Sequence, residues 1–356
     1  METLEEIVRR LLRATNDITA NAVLDKFDLT KCREIDERSA TDPLIRERRM
    51  TCLANLRQCG IAYSPLYKTA FDAYNEIIVY DLLKLKGNIR FQNTGSDPSP
   101  DFIWMTKEGT ELNIDLKTLS YNNDTKNFKD IQAQSVDSKI SIETQLKDTK
   151  HKRTDGKISV VFGEPVIYSP FKKGNNNELI DSAFVIETFI DKIQNNYKPR
   201  QLSYGGREGI LLIDTRLIGH PIWLQEALPI YLYPQFNEPK SGCLWNACFG
   251  SQDHPTYDSV EFEGKPNIGR PLAKNGVMTG DTGPQAIIFI IHPGNESHFV
   301  GLYHSQRQSD NIVTLLNELC KFTNDESNSM FWEISIGPLN EYRFPPPAST
   351  EQDSQF

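Results

Sequence analysis

Apolar positions in the first ninety residues recur at helical spacing and are bracketed by end signals. Thr3 and Glu6 form a capping box ahead of Ile7, Val8, Leu11 and Leu12, which predicts a first helix. Asp42-Pro43 caps and opens a second that Gly60 stops, and Ser64-Pro65 opens a third that Gly87 stops. The apolar residues of the third, from Leu66 to Leu85, occupy most of its circumference, so it should pack on more than one side, with Glu76 as a charge inside it. After Gly87 the period changes to two, and Asn88 to Gln92, Asp101 to Thr106 and Glu111 to Leu119 read as three short strands. Ser120 to about Lys157 is polar and lysine-rich. Another polar loop, Lys172 to Asn177, precedes a helix predicted from Glu178 to Asn195. Strands are expected at Gly209 to Asp214, Gln285 to His292, His298 to Tyr303 and Phe331 to Ile336, with a helix from Asn311 to Phe322. The end of the chain, from Phe344 onward, has the composition of a disordered tail. The order of elements predicts a mixed α/β chain without repeats.

Charge narrows what such a chain can do. Its 39 Lys and Arg against 48 Asp and Glu give a net charge of -9, so a basic protein that wraps a polyanion is excluded as the bulk description, and any nucleic-acid contact must be local. No apolar run approaches the roughly 20 residues that span a bilayer, and the N-terminus lacks a basic start followed by an apolar stretch, so we expect a soluble, cytoplasmic protein with no membrane partner. Six cysteines in 356 residues form no disulfide framework, which agrees with a reducing compartment. Cys243, Cys248 and His254 lack a fourth partner at zinc spacing, and His292, His298 and His304 recur across a strand-turn-strand; structural background is the expectation for both groups.

The stretch with chemistry in it is Pro100-Asp101, thirteen intervening residues, then Asp115-Leu116-Lys117. On a strand, Glu111, Asn113, Asp115 and Lys117 share one side while Leu112, Ile114 and Leu116 share the other. If Lys107-Glu108-Gly109 is a three-residue hairpin loop with Gly109 left-handed, Thr106 pairs with Thr110 and Asp101 falls opposite Asp115. Opposed side chains have Cβ atoms about 5 Å apart. Two carboxylates that close repel unless a proton or cation lies between them, and a hard ion such as Mg²⁺ suits oxygen ligands. A four-residue loop would instead turn Asp101 to the wrong face. A solvated strand edge is the bland alternative.

Pro-Asp, a spacer and Asp-x-Lys on a two-faced strand, preceded by a helix carrying an acid, resembles the PD-(D/E)XK nuclease superfamily, best known from type II restriction endonucleases. The resemblance covers under half the chain. It implies a core of helix, three-stranded antiparallel meander, helix and further strands. That core would fall in residues 63–218 with the basic loop 120–157, preceded by an N-terminal helical region (1–62) and followed by a C-terminal α/β elaboration for recognition and dimerisation (219–340) and the tail (341–356). It further implies Mg²⁺-dependent hydrolysis of DNA phosphodiesters. One or two ions would be held by Asp101, Asp115 and the Leu116 backbone carbonyl, with Glu76 completing the shell, and Lys117 would serve the attacking water. Double-stranded DNA would be the partner, a homodimer would cut both strands, and a cognate methyltransferase would act on the same site. Lys147, Lys150, Lys152, Arg153 and Lys157, and more weakly Lys126, Lys129 and Lys139, are candidates for phosphate contacts. The competing readings are an anti-phage or repair nuclease of low sequence preference and a binding module whose metal site no longer functions.

Overall fold

The structure, a computed structural model, describes residues 2–16, 23–59, 66–92, 99–120, 140–147, 181–218, 222–233, 238–259, 266–280, 283–294 and 296–327. The chain divides into two compact units. One comprises Met1–Val79, Ser120–Glu178 and Leu217–Gly219; the other comprises Tyr80–Leu119, Leu179–Arg216 and His220–Phe356.

The first unit is helical. In α1 (Leu4–Asn16) the capping box closes in both directions, Glu6 N–H donating to the Thr3 hydroxyl and Thr3 N–H to the Glu6 carboxylate. A helix that the apolar pattern did not announce, α2 (Leu29–Arg38), follows, with Asp28 accepting from Thr30 and Lys31 N–H. Only Cys32 and Ile35 of it are buried, too few to produce a visible period. Asp36 on α2 accepts from the first N–H groups of α1, those of Leu4 and Glu5, and pairs with Arg49. That arginine stands on α3 (Pro43–Gln58), opened as expected by Asp42 capping and Pro43 in the first turn. The apolar faces of these helices and of α4 (Leu66–Lys84) meet in one core. Within it Phe27 lies against the rings of Phe71 and Tyr74, at 5.4 and 4.7 Å between centroids. Residues 140–147, expected to be part of a polar loop, are helical (α5).

The second unit is built on a seven-stranded mixed sheet. Its strands are β1 (Asn88–Phe91), β2 (Phe102–Met105), β3 (Glu111–Ser120), β4 (Gly209–Leu217), β9 (Ala286–Ile291), β10 (His298–Tyr303) and β11 (Phe322–Asp325), adjacent in that order. Two small antiparallel pairs, β5 (Ile230–Tyr233) with β6 (Glu238–Ser241) and β7 (Pro255–Ser259) with β8 (Pro266–Pro271), lie between β4 and β9 in sequence. Of the helices, α6 (Ser182–Asn196) and the short α7 (Pro199–Leu202) precede β4, α8 (Cys243–Phe249) follows β6, and α9 (Asp310–Leu319) joins β10 to β11. β1, β2 and β3 form an antiparallel meander; β4 and β9 are parallel, as are β10 and β11, while β9 and β10 are antiparallel. Ile210 to Ile213 and Ala286 to Ile291 are buried throughout, as befits central strands covered on both faces.

Two differences from expectation trace to how strands join the sheet. The helix expected to reach Phe322 stops at Leu319: Cys320 N–H still bonds to Leu316, but Lys321 N–H turns to Phe299 O at 2.8 Å, and the chain becomes an added strand. Because β9 hydrogen-bonds to β4, residues 286–325 continue the central sheet, and the expected boundary near residue 218 falls between strands of one sheet. The strand expected at 331–336 and the tail lie outside the described residues. No helix among the described residues is long and apolar enough to cross a membrane.

Candidate active site

The β2–β3 hairpin has the three-residue turn that the arithmetic required. Gly109 lies at φ +86°, where a side chain would be strained, and Thr106 N–H bonds to Thr110 O at 2.9 Å. The register runs from Met105 opposite Glu111 to Phe102 opposite Ile114, so the next pair places Asp101 against Asp115. The two strands are also tied through the acid itself: Leu116 N–H donates to Asp101 Oδ2 at 2.7 Å.

The polar side of β3 is not the solvated strand edge of the bland alternative. Asn113 and Asp115 are both fully buried. The cover is the segment 199–206, held by Asn113, whose amide donates to Leu202 O and Tyr204 O, both at 2.9 Å. Gly209 permits the close approach, since a Cβ there would lie 2.5 Å from Leu202 O. The segment brings Gln201 over the site. Its amide donates to Ser99 O at 3.0 Å and its oxygen accepts from Lys117 Nζ at 3.3 Å. Lys117 Nζ in turn lies 2.8 Å from Asp115 Oδ1. Gln201 thus links the residue preceding Pro100-Asp101 to the lysine of Asp-x-Lys, and no spacing in the sequence announced it.

Burial pushes the Asp115 carboxyl above its usual range; the charge and hydrogen bond of Lys117, the neighbouring Asp101 carboxyl and the charge of Lys198 oppose that push. Two carboxyl groups facing each other, one of them fully buried, are costly unless a proton or a cation lies between them, and the hydrogen bond between Asp101 and Asp115 shows that they meet there. Asp101, Asp115 and the Leu116 carbonyl are all-oxygen donors of the kind a Mg²⁺ ion accepts while keeping several waters, so the residues present fit such an ion. No group of three or more His, Cys, Asp or Glu side chains converges among the described residues, so the donor set here is a carboxylate pair with backbone help, not a side-chain cage.

The other predicted residues fare differently. Glu76 belongs to the helical unit and pairs with Arg48 at 3.0 Å, so its charge is compensated by an arginine and needs no metal to offset it. Lys147 is exposed on α5; Lys126, Lys129, Lys139, Lys150, Lys152, Arg153 and Lys157 lie outside the described residues. Cys243 and Cys248 are buried, with their thiols pushed up by desolvation, while His254 is exposed. His292, His298 and His304 each take a separate carboxylate, those of Asp214, Glu296 and Glu326.

Comparison with protein-family models, with curated proteins and with solved structures finds no match to this chain.

Proposed function

We propose that the chain is a Mg²⁺-dependent endodeoxyribonuclease of the PD-(D/E)XK kind, acting as a sequence-specific type II restriction enzyme on double-stranded DNA. The observation that carries this reading is the fully buried Asp115 carboxyl, set opposite Asp101 with Lys117 Nζ at 2.8 Å from Oδ1. The order of elements supports it: a helix, an antiparallel meander of three strands, a further helix, and a strand beside the Asp-x-Lys strand.

Asp101, Asp115 and the Leu116 carbonyl would hold the ion. When bound, the ion polarises the scissile phosphate and stabilises the leaving oxygen. Lys117 is the protein's own contribution at the reacting centre. Its ammonium orients the attacking water and offsets the negative charge that grows on the phosphate. Gln201 positions Lys117 by accepting one of its three N–H groups, leaving the others for Asp115 and the substrate. A homodimer would place one such site on each strand of a symmetric sequence, and a methyltransferase of the same specificity would protect the host.

The test is to incubate the full chain and Lys117→Ala with long unmethylated duplex DNA in Mg²⁺ or EDTA. Discrete fragments that require metal and vanish in the variant are expected. A smear would move the assignment to a nuclease of low sequence preference. Metal binding without cleavage of any DNA, or no metal binding, would overturn the reading.

A further inference from the structure

Where α6 ends, the unit built on the central sheet holds a cleft of about 370 Å³, within the ~300–1,000 Å³ of small-molecule sites. One side is the end of α6, with Ile193 and the Tyr197 that follows the helix; the other is the segment 274–280 with Gly283 and Pro284. Ile193, Val277 and Pro284 are buried and give the cleft an apolar floor, Tyr197 is half-buried beside it, and Asn275 and Thr279 are exposed at the rim. The wall is fixed in advance. The N–H groups of Gly276, Val277 and Met278 bond to the carbonyls of Gly250, Ala247 and Cys248 at 2.7, 2.9 and 2.9 Å, and a Cβ on Gly276 would lie 2.5 Å from Cys248 O. A cleft already shaped spares a ligand the cost of ordering it.

The chemistry of the lining is neutral. Lys274 is committed to Asp191 at 2.6 Å, and the guanidinium of Arg307 donates to Met278 O and Gly280 O, so neither cation is left for an anion. What remains are hydrogen-bonding atoms of both kinds. Asn275 Oδ1 accepts from Gln252 N–H at 2.7 Å, which leaves the amide N–H groups to donate, and the Thr279 hydroxyl donates to Gly276 O at 2.8 Å, which leaves its oxygen to accept. Burial holds the Tyr197 phenol above its usual range, against the charge of Arg307, so that hydroxyl stays protonated and can donate too. An apolar floor, an aromatic ring and neutral polar atoms at the rim suit a flat heteroaromatic ring with polar edges.

The cleft also adjoins the Asp101–Asp115 site. Lys198, next to Tyr197, is among the charges acting on Asp115; its carbonyl accepts from Gln201 N–H at 2.9 Å, and the Gln201 side chain accepts from Lys117 Nζ at 3.3 Å.

We propose that this cleft binds a single nucleobase, laid on the apolar floor against Tyr197 and hydrogen-bonded at the rim. Its source is either a base turned out of the stack of the DNA or a free nucleoside. The choice of DNA rests on the nuclease reading; the cleft and its chemistry do not.

The experiment titrates each of the four deoxynucleosides into the full chain in EDTA, followed by saturation-transfer NMR. The wild type is compared with Thr279→Trp, which fills the mouth, and Tyr197→Ala, which removes the ring, and circular dichroism checks that each folds. At least one nucleoside should bind the wild type, and each folded variant should bind it roughly fivefold or more weakly, the low end of what a base gains on an aromatic ring. Binding of none, or binding undiminished in a folded variant, would overturn the proposal and leave the nuclease reading to its own cleavage test. The source is decided by the rate of fragment formation from long unmethylated duplex DNA in Mg²⁺. A matching fall in both variants assigns the base to the DNA, and an unchanged rate assigns the cleft to a free nucleoside. Nucleoside binding by a wild type that cleaves no DNA would keep the cleft and overturn the nuclease reading.

Discussion

Replacing Lys117 by Met removes the cation that faces Asp115 and keeps most of the side-chain volume. Asp115 is fully buried, so its charge then has no water and keeps only the Asp101 carboxyl and the charge of Lys198, and losing one member of a buried ion pair typically costs about 3–5 kcal/mol. The cost has a ceiling, because the stranded carboxyl can take up a proton instead. That ceiling rises about 1.4 kcal/mol for each pH unit above ~3.9, which makes it about 5–6 kcal/mol at pH 8 and ~1.5 kcal/mol at pH 5. The direction follows from the Asp115 carboxyl, already raised in the folded wild type by burial. A carboxyl whose folded pKa exceeds its unfolded one favours the folded state at low pH, and that advantage is lost as pH rises through the folded pKa. Urea unfolding of wild type and Lys117→Met, followed by tryptophan fluorescence, should therefore show a loss of about 3–5 kcal/mol at pH 8 that shrinks below ~1.5 kcal/mol at pH 5. In Asp115→Asn/Lys117→Met the pH dependence should vanish. A cost independent of pH, or one below ~0.5 kcal/mol at pH 8, would refute the reasoning by showing that Asp115 does not depend on Lys117 for its charge.

Three further outcomes are expected. Mg²⁺ or Ca²⁺ at 100 times its dissociation constant should stabilise the wild type by about 2.7 kcal/mol in thermal or urea unfolding. Asp101→Asn and Asp115→Asn should lose that effect, while Glu76→Gln, which breaks the pair with Arg48, should keep it and shift unfolding by ~1 kcal/mol or less at any metal concentration. Asn113→Ala strips the donors from two carbonyls, those of Leu202 and Tyr204, and should cost about 2–4 kcal/mol in urea unfolding, with faster amide exchange over residues 199–206. Gln201→Ala should lower the cleavage rate about tenfold with little change in DNA affinity, since it frees Lys117 without touching the strand; an equal loss of affinity would place Gln201 in binding instead.

What the sequence determined by itself was local. The capping box of α1, the Asp42-Pro43 opening of α3 and the left-handed Gly109 are properties of three or four adjacent residues, and backbone sterics and short hydrogen bonds decide them without the rest of the molecule. The hairpin register follows from turn length, so the juxtaposition of Asp101 and Asp115 was legible too. The residues that complete the site were not. Asn113 is 89 residues from the Leu202 carbonyl it holds, Gln201 is 84 from Lys117, and the addition of β9 to β4 sets Asp214 beside His292 across 78. Asn113 and Asp115, on the polar side of β3, are fully buried because a distant segment lies over them, and Glu76 reads as an unpaired acid until Arg48 is brought alongside. Burial and charge compensation are settled between groups far apart in sequence, and the spacing of apolar residues along one segment carries no information about which distant partner will cover it.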